Sequence, residues 1–268
     1  MVTFMEVYPK RAFTFVESKP DEDIYEIRVT LKDVPGALAK AASLVAEAGI
    51  NVKTSIVFAT LPEEKQGFWT AFIDVSKSKM QIDELIKKLN ELDVALDVEI
   101  IKPKPAAHDV MHFPVLHGEE RAVVMPISLL RNLFEEIEKI LTPSGFAAVF
   151  YNAGKRSGEN FANYYRKKFN PKTKEELVEL LFSCVKAIGW GLIKTYSLDL
   201  NRIYGTIRSI DNIEGTLRKN KGSEPICHWT RGFLAGYLSA ATGREVEVRE
   251  VKCMGKGDEF CEFEIEAK

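Results

Sequence analysis

The stretch Arg249-Glu250-Val251-Lys252-Cys253-Met254-Gly255-Lys256-Gly257-Asp258-Glu259-Phe260-Cys261 decides how the C-terminal half of the chain folds. Its pattern predicts the end of one strand, a glycine-containing turn and the start of a second strand. Because strand side chains alternate between faces, Glu250 shares the inward face of Val246 and Val248. An unpaired carboxylate in that position costs several kcal/mol or is forced into its neutral form. Glu250 therefore needs a partner, and cysteines flank it.

These residues form a candidate metal site together with one cysteine further upstream. The proposed ligands are Cys227, Glu250, Cys253 and Cys261. Three thiolates and one carboxylate complete a tetrahedron and leave no position for water, which indicates structural rather than catalytic zinc. Two alternatives are that the cysteines pack as small apolar residues while Glu250 lies at the surface, and that two of them form a disulfide. Cys184 is not a predicted ligand, because it falls on the apolar stripe of a helix with Leu177, Leu181 and Ile188.

Composition describes a soluble globular protein of two domains. The chain has 268 residues, 46% of them hydrophobic and 28% charged, and a formal net charge of −2. No apolar run reaches membrane-spanning length and no signal peptide is evident, so we expect a cytoplasmic protein without a membrane partner. The absence of a strong positive charge argues against direct nucleic-acid binding. A reducing compartment favours metal ligation over disulfides, and abundant Lys and Glu with few Gln suggest a thermophile.

The first half reads as strand, helix, strand, strand, helix, strand, between residues 22 and 102. Ile27, Val29 and Leu31 alternate with polar residues, which predicts a half-buried strand. Pro35 is expected to open the following helix, because proline is pre-organised for a first helical position. Residues 1–21 form an N-terminal extension. Residues 103–119 form a linker, since Lys102-Pro103-Lys104-Pro105 resists helix and sheet alike.

This order of elements, the turn Asp33-Val34-Pro35-Gly36 and the later Gly49-Ile50-Asn51 resemble the ACT domain. The resemblance implies a ferredoxin-like regulatory fold that binds a small, often amino-acid-like, ligand between two paired copies, and hence a homodimer. A glycine in the turn lets the backbone approach a ligand, and the helix N-terminus offers N–H groups to a carboxylate. The ligand positions that the resemblance implies are Asp33, Gly36, Ala37, Leu38 and Asn51.

The resemblance is not complete, and the site can also be one that only dimerises. Serine-binding members have His where this chain has Leu31 and Asn where it has Asp33. The pocket implied here is more apolar and more acidic, so serine is not the expected ligand.

Residues 120–268 read as a second mixed domain, and the whole chain is predicted to be α/β (α+β). A helix is expected after Pro126, and a strand is expected from Phe146 to Tyr151. A helix from 153 to 169, the Cys184 helix and a hairpin follow. A late helix is expected from Pro225 to Ala240, ended by Gly243. Cys227 would then lie in its first turn, where the helix dipole favours a thiolate.

The second half resembles the 4-vinyl reductase family. The residues that carry this resemblance are a Gly-x-x-x-Gly-Glu segment beginning at Gly154, Cys227-His228 opening a late helix, and Glu250-x-x-Cys253 followed by Cys261. The fold is shared with sensor domains of activators that respond to phenols and aromatic hydrocarbons, where three cysteines and a glutamate bind zinc. It implies an enclosed apolar cavity for a hydrophobic or aromatic molecule. Phenol is not implied, because the His and Trp that bind it have no counterpart that can be placed.

His228 and the histidines of the linker are weak metal candidates. Adjacent helical residues point about 100° apart, so Cys227 and His228 do not reach one metal together, and His228 is expected to be a supporting or core residue. His108 and His112 have the spacing of a helical metal pair, but Pro103, Pro105 and Pro114 argue against a helix there.

The sequence therefore predicts a non-enzymatic ligand sensor. It contains no Gly-x-Ser-x-Gly, no His-Glu-x-x-His and no nucleotide-binding glycine loop. An enzyme or accessory factor in tetrapyrrole or hydrocarbon metabolism is the alternative that the second family's name suggests, although no site for a hydride or electron donor is evident. A module that passes ligand state to a separate regulator is a third reading.

Overall fold

The computed structural model describes residues 8–9, 11–59, 65–104, 107–219 and 222–268. The chain divides into two compact units, the first ending at Val124 and the second running from Met125 to Lys268. Each unit has its own core and is described by itself. The boundaries 22–102 and 120–268 stay predictions.

The first unit has the ferredoxin-like fold that the sequence predicts. Its elements are β1 (Ile24–Lys32), α1 (Ala37–Glu47), β2 (Asn51–Ala59), β3 (Gln66–Asp74), α2 (Ile82–Asn90) and β4 (Ala95–Ile101), followed by a small hairpin of β5 (Leu116–His117) and β6 (Glu120–Arg121). The four long strands form an antiparallel sheet in the order β2-β3-β1-β4. Both helices pack on the face that carries Ile27, Val29 and Leu31.

The opposite face of this sheet is also covered, which differs from the half-buried strand expected for β1. Glu26 on that face is 0% exposed. Phe72 and Ile24 pack there with Phe13 from the N-terminal extension and Ala107 from the predicted linker. Alternation correctly separates the two faces of β1, but it does not reveal that distant segments cover the polar face.

The helix α1 begins at Ala37, two residues later than Pro35. Gly36 occupies the position before the helix with φ 85°, a left-handed conformation that other residues adopt at a cost. No side chain caps this N-terminus. A Cβ atom at Gly36 would meet nothing within 4 Å, so glycine is required here by backbone conformation and not by crowding.

The second unit packs helices on one antiparallel sheet. Its elements are α3 (Ile127–Ile140), α4 (Pro143–Phe169), α5 (Lys174–Ala187), β7 (Leu192–Asp199), β8 (Tyr204–Ile210), α6 (Ile213–Leu217), α7 (His228–Thr242), β9 (Val246–Lys252), a short 3₁₀ helix (Met254–Lys256) and β10 (Cys261–Ala267). The strand order is β7-β8-β10-β9. The core lies between this sheet and α4, α5 and α7.

The strand expected from Phe146 to Tyr151 is wrong, because these residues belong to α4. Thr142 caps the helix by accepting a hydrogen bond from the Gly145 N–H, and Pro143 follows at the first helical position. Phe146 and Phe150 lie one turn apart and stack at 4.2 Å between ring centroids. A short apolar run satisfies strand and helix patterns equally, and here the cap decides. Although α4 has 27 residues, no described helix is long and apolar enough to cross a membrane.

The late helix α7 begins at His228, three residues after the predicted start at Pro225. Cys227 is its N-cap residue and so lies just before the first turn, not within it. Gly243 ends the helix with φ 73°, as the sequence predicts.

Four glycines bring α4 and α7 into close backbone contact. Gly154 and Gly158 on α4 face α7, and Gly232 and Gly236 on α7 face α4. A Cβ atom at these positions would lie 1.9–2.2 Å from a carbonyl oxygen of the other helix. No real Cβ atom approaches an oxygen so closely, so only glycine fits at this crossing.

We predict that Gly236→Ala destabilises the protein although alanine is intrinsically the better helix former by about 1 kcal/mol. The new Cβ would lie 1.9 Å from the Lys155 carbonyl oxygen, so the helices must separate. We expect the free energy of unfolding to fall by about 3 kcal/mol or more, measured by denaturant titration.

Gly243→Ala at the end of the same helix is the control for this prediction. Its Cβ would meet nothing within 4 Å, so only the left-handed conformation opposes it, at about 1–2 kcal/mol. A stability of Gly236→Ala equal to that of the unchanged protein would contradict the close helix contact.

Candidate metal centre and adjoining cavity

The structure brings together all four of the predicted metal ligands. Cys227 precedes α7, Glu250 lies on β9, Cys253 follows β9 and Cys261 begins β10. One ligand atom from each residue lies within 4.8 Å of the others. The β9–β10 hairpin contributes three ligands, and the N-terminus of α7 contributes the fourth.

The three thiols are free and point at one another in the core. The Cys227 Sγ lies 3.8 Å from the Cys253 Sγ and 3.7 Å from the Cys261 Sγ. All three residues are 0% exposed. A disulfide requires about 2.05 Å between sulfurs, so the disulfide alternative does not describe this arrangement. The separations are those of sulfurs surrounding a common centre.

Glu250 points inward, as strand alternation predicts, and only one of its oxygens is satisfied. Its Oε2 accepts a hydrogen bond from the Cys227 N–H at 2.9 Å. Its Oε1 is buried and has no hydrogen-bond partner among the described residues. Burial raises the pKa of Glu250 to about 8. A cation beside Oε1 would remove the cost of this unpaired oxygen, and the alternative of a surface Glu250 is wrong.

The thiols have pKa values that only a cation reconciles with three thiolates. Burial raises the pKa of Cys227 well above its ordinary value. The neighbouring thiol of Cys227, together with Cys261, lowers the pKa of Cys253. Without a metal, one thiolate is therefore held by two thiols. A bound metal ion deprotonates its thiol ligands outright, so three thiols and one carboxylate could hold a metal ion with no open position.

The backbone around the cysteines is fixed by local hydrogen bonds. The Asp258 carboxylate accepts from the Cys253 N–H at 2.8 Å, and the Cys253 carbonyl accepts from the N–H groups of Lys256 and Asp258. The Met254 N–H lies 3.4 Å from the Cys261 Sγ. Gly215 of α6 packs against the same sulfur, where a Cβ would lie at 3.0 Å. The turn between β9 and β10 is thus shaped to hold two sulfurs in place.

Glu214 is a buried carboxylate that the sequence analysis did not identify. Its Oε1 accepts from the Trp229 N–H at 3.0 Å, and its Oε2 accepts from the N–H and the hydroxyl of Thr230 at 2.7 and 2.6 Å. Burial raises its pKa to about 7. These N–H groups belong to the first turn of α7 and have no partner within the helix. Glu214 thus caps α7 beside Cys227, and its position on the five-residue α6 gives no periodic signal that could have revealed it.

His228 is not part of the ligand cluster. Its ring contacts Phe146 edge-on at 6.1 Å between centroids, and burial lowers its pKa to about 4. His228 is therefore a neutral, largely buried side chain, as expected.

Next to the metal centre lies an apolar cavity of about 150 Å³ within the second unit. Its lining comes from α4, α5, α7 and the sheet: Ser157, Phe161, Leu181, Phe182, Cys184, Val185, Ile188, Trp190, Ile193, Ser209, Asn212, Trp229, Thr230, Phe233, Leu234 and Phe263. Cys184 is a core residue away from the metal ligands, as predicted, and it also contributes to this lining. The sequence supplied the aromatic residues but did not indicate which of them surround a cavity.

The polar groups of the lining bond to one another. Thr230 Oγ1 accepts from Trp190 Nε1 at 3.1 Å and from Asn212 Nδ2 at 3.3 Å while it donates to Glu214. Asn212 Oδ1 accepts from the Glu214 N–H at 3.1 Å. A molecule in the cavity therefore meets polar groups that already have partners.

The cavity and the metal centre share structural elements. Thr230 lines the cavity and bonds to Glu214, which caps α7 next to Cys227. Phe263 lines the cavity two residues after Cys261 on the same inward face of β10. A molecule that moves Thr230 or Phe263 would displace groups bonded to the metal ligands.

The residues predicted to bind an ACT ligand fall into two separate places in one chain. Asp33, Gly36, Ala37 and Leu38 lie at the N-terminal end of α1, whereas Asn51 begins β2 beyond its C-terminal end. An 11-residue helix lies between them, a length of about 16 Å at 1.5 Å per residue. Asp33 and Asn51 are both exposed. One chain alone does not bring these residues around a single small ligand.

Comparison with protein families confirms both resemblances. Residues 25–94 match the model of the ACT domain, and residues 216–267 match the model of the 4-vinyl reductase domain. The second match includes all four candidate metal ligands.

Relatives with similar sequences align mainly with one part of the chain or of the relative. An uncharacterised protein of Methanocaldococcus jannaschii is 27% identical over 64% of this chain and 93% of its own length. The transcriptional regulatory protein XylR of Pseudomonas putida is 31% identical over 54% of this chain, which spans 27% of XylR.

Among solved structures, the phenol-responsive sensory domain of the transcription activator PoxR has a similar fold. It matches with a TM-score of 0.52 and 20% identity, over 57% of this chain and 80% of that chain. At this identity the likeness concerns the fold alone.

We predict that Cys253→Ser sharply lowers the metal content of the purified protein and its thermal stability. Removing one of three thiolates leaves the buried cluster without a complete tetrahedron, and metal-binding free energy contributes directly to folding. Metal per chain would be measured by inductively coupled plasma mass spectrometry. Cys184→Ser is the matched control and should retain full metal content, because Cys184 lies outside the cluster. Full metal content in Cys253→Ser would contradict this ligand assignment.

Proposed function

We propose that this protein is a homodimeric, non-enzymatic ligand sensor. Its second domain would bind a hydrophobic or aromatic small molecule in the cavity, and its ACT domain would bind an amino-acid-like effector. The observation that carries the proposal is the enclosed aromatic cavity, joined through Thr230 and Glu214 to the helix that bears Cys227. The matches to the ACT and 4-vinyl reductase domains, the relation to XylR and the fold of the PoxR sensory domain support it.

Structural zinc is the metal that we assign to the cluster of Cys227, Glu250, Cys253 and Cys261. Thiolates are soft ligands that favour zinc over magnesium, calcium or manganese. Three sulfurs and one carboxylate oxygen form a closed tetrahedral set, which is typical of a structural zinc site. Within this proposal the metal joins α7 to the β9–β10 hairpin, while the protein residues around the cavity respond to the ligand.

The cavity suits a single aromatic ring without a polar substituent. A cavity of about 150 Å³ lined by apolar side chains holds a molecule of the size of benzene. The hydroxyl of Thr230 and the amide of Asn212 bond to neighbouring groups, so an apolar ring leaves them satisfied. A ligand hydroxyl would find no free partner there, which costs about 1–3 kcal/mol.

We predict that toluene binds in the cavity about tenfold or more tightly than phenol, because the buried phenol hydroxyl would lack a partner. Trp190 and Trp229 line the cavity, with ring centroids 4.3 Å apart, so ligand binding should change the tryptophan fluorescence. Titration of the fluorescence with each compound gives the two dissociation constants.

Val185→Phe tests whether this signal comes from the cavity. The larger side chain enters the lining and should weaken toluene binding at least about tenfold, since cores of this kind have little spare volume. Val149→Phe makes the same change at a position that is 54% exposed and should bind toluene normally. Equal binding by both variants would remove the cavity as the binding site.

The ACT effector would bind between two chains. The α1 N-terminus has no side-chain cap and an open position above Gly36, which suits the carboxylate of an amino acid. Asn51 lies at the far end of α1, so the Asn51 that completes a site must come from a second copy.

A mixing experiment tests this arrangement with the standard L-amino acids as probes and calorimetry as the measurement. Asp33→Ala and Asn51→Ala should each abolish binding of whichever amino acid the unchanged protein binds. Refolding the two variants together should restore about half of the sites in the mixed dimers, because those dimers contain one intact pair. If neither variant affects binding, or mixing restores none, the shared site is wrong.

A further inference from the structure

A second group of metal-type side chains lies in the first unit, on the sheet face opposite the two helices. Glu26 comes from β1, and Asp109 and His112 come from the segment that follows β4. One ligand atom from each of the three residues lies within 4.8 Å of the others. None of them belongs to the positions that the ACT resemblance implies for ligand binding.

The geometry places three acceptor atoms around one point. His112 Nδ1 lies 2.9 Å from Asp109 Oδ1 and 3.7 Å from Glu26 Oε1. For tetrahedral ligands about 2.0–2.1 Å from a metal ion, neighbouring donor atoms lie about 3.3 Å apart. The observed separations bracket that value.

The hydrogen bonds around the cluster orient its members without filling the central point. Thr70 Oγ1 on β3 lies 3.1 Å from His112 Nε2, so it can hold the ring with Nδ1 towards the carboxylates. Glu26 Oε2 accepts from the Val110 N–H at 3.0 Å, and Asp109 Oδ1 accepts from the N–H groups of Met111 and His112. A metal-ligating histidine usually has such a partner on its second nitrogen.

Glu26 provides an independent indication that a cation belongs here. The residue is 0% exposed, and its Oε1 faces His112 and has no hydrogen-bond partner among the described residues. Burial raises its pKa to about 7, and the Asp109 carboxylate contributes to that rise. Two carboxylates in one buried place repel each other unless a positive charge lies between them.

We propose that Glu26, Asp109 and His112 form a second metal site, which binds one divalent transition-metal ion through a carboxylate oxygen of each acid and Nδ1 of the histidine. The set contains nitrogen and oxygen but no sulfur, so it differs in preference from the cysteine cluster. Imidazole with carboxylates suits zinc, cobalt, iron and manganese ions. His112 retains 21% of its side-chain exposure, which leaves a path for the ion.

Metal at this site would attach the segment after β4 to the sheet. Ala107 and the rings of Phe13, Phe58 and His112 already pack on or beside this face. Binding would add a bond between Asp109 or His112 and Glu26 of β1, across 83 or more positions of the chain. We therefore expect the packing of residues 107–112 on the sheet to depend on the metal.

Cobalt(II) distinguishes this site from the cysteine cluster by spectroscopy. The full-length metal-free protein would be titrated with Co²⁺ and followed by absorption. Cobalt bound by thiolates shows sulfur-to-metal charge-transfer bands, whereas cobalt bound by imidazole and carboxylates shows d–d bands alone. We expect Glu26→Gln to weaken the cobalt ion without sulfur bands by at least about tenfold and to leave the sulfur bands unchanged.

Two further variants make the result decisive. Glu99→Gln removes an exposed carboxylate of the same sheet, paired with Arg28, and should keep normal cobalt binding. If Glu26→Gln fails to fold by circular dichroism, Asp109→Asn takes its place with the same expected loss. A wild-type protein that shows only sulfur-ligated cobalt, or a second cobalt ion equally bound in Glu26→Gln or its replacement, would overturn the proposal. In that case the cation between the carboxylates is a proton.

Discussion

The second domain depends on how the N-terminus of α7 is held by two buried carboxylates. Glu250 accepts from the Cys227 N–H, and Glu214 accepts from the N–H groups of Trp229 and Thr230. Helix N-termini leave their first N–H groups without partners inside the helix, and in a dry core those groups must find acceptors. The two glutamates meet this need from β9 and α6. In doing so they fix Cys227 against the β9–β10 hairpin, and the metal centre, the cavity wall and the helix start become parts of one arrangement.

The glycine contact between α4 and α7 complements that arrangement. Because the helix backbones touch at Gly158 and Gly236, the large side chains of α7 are directed to the sides of the crossing. Phe233 stacks on Trp229 at 4.8 Å and meets Phe161 of α4 edge-on at 5.6 Å. The aromatic wall of the cavity thus follows from a backbone contact that only glycine permits. A cavity beside so close a contact keeps its shape because neither helix can approach further.

The two candidate metal sites illustrate different uses of buried charge. The cysteine cluster is completely buried, and its unpaired Glu250 oxygen and three thiols form a closed set that suits a permanent ion. The cluster of Glu26, Asp109 and His112 is partly open to solvent at the histidine and connects a strand to a segment far away in the chain. Exchange of an ion is easier where a ligand remains exposed, so the second site is the one at which metal supply can change local packing.

The sequence by itself determined the features that depend on local periodicity and on special backbone conformations. Alternation placed Glu250 inward between cysteines, the order of elements gave the ferredoxin-like unit, and Gly243 marked the end of α7. Only the tertiary structure decided which segments meet: it buried Glu26 beneath distant residues, placed Glu214 under α7, and made a helix of the apolar run at Phe146. Periodicity reports which way a side chain faces, whereas the group opposite it comes from another part of the chain, and in these places that distant group determined the outcome.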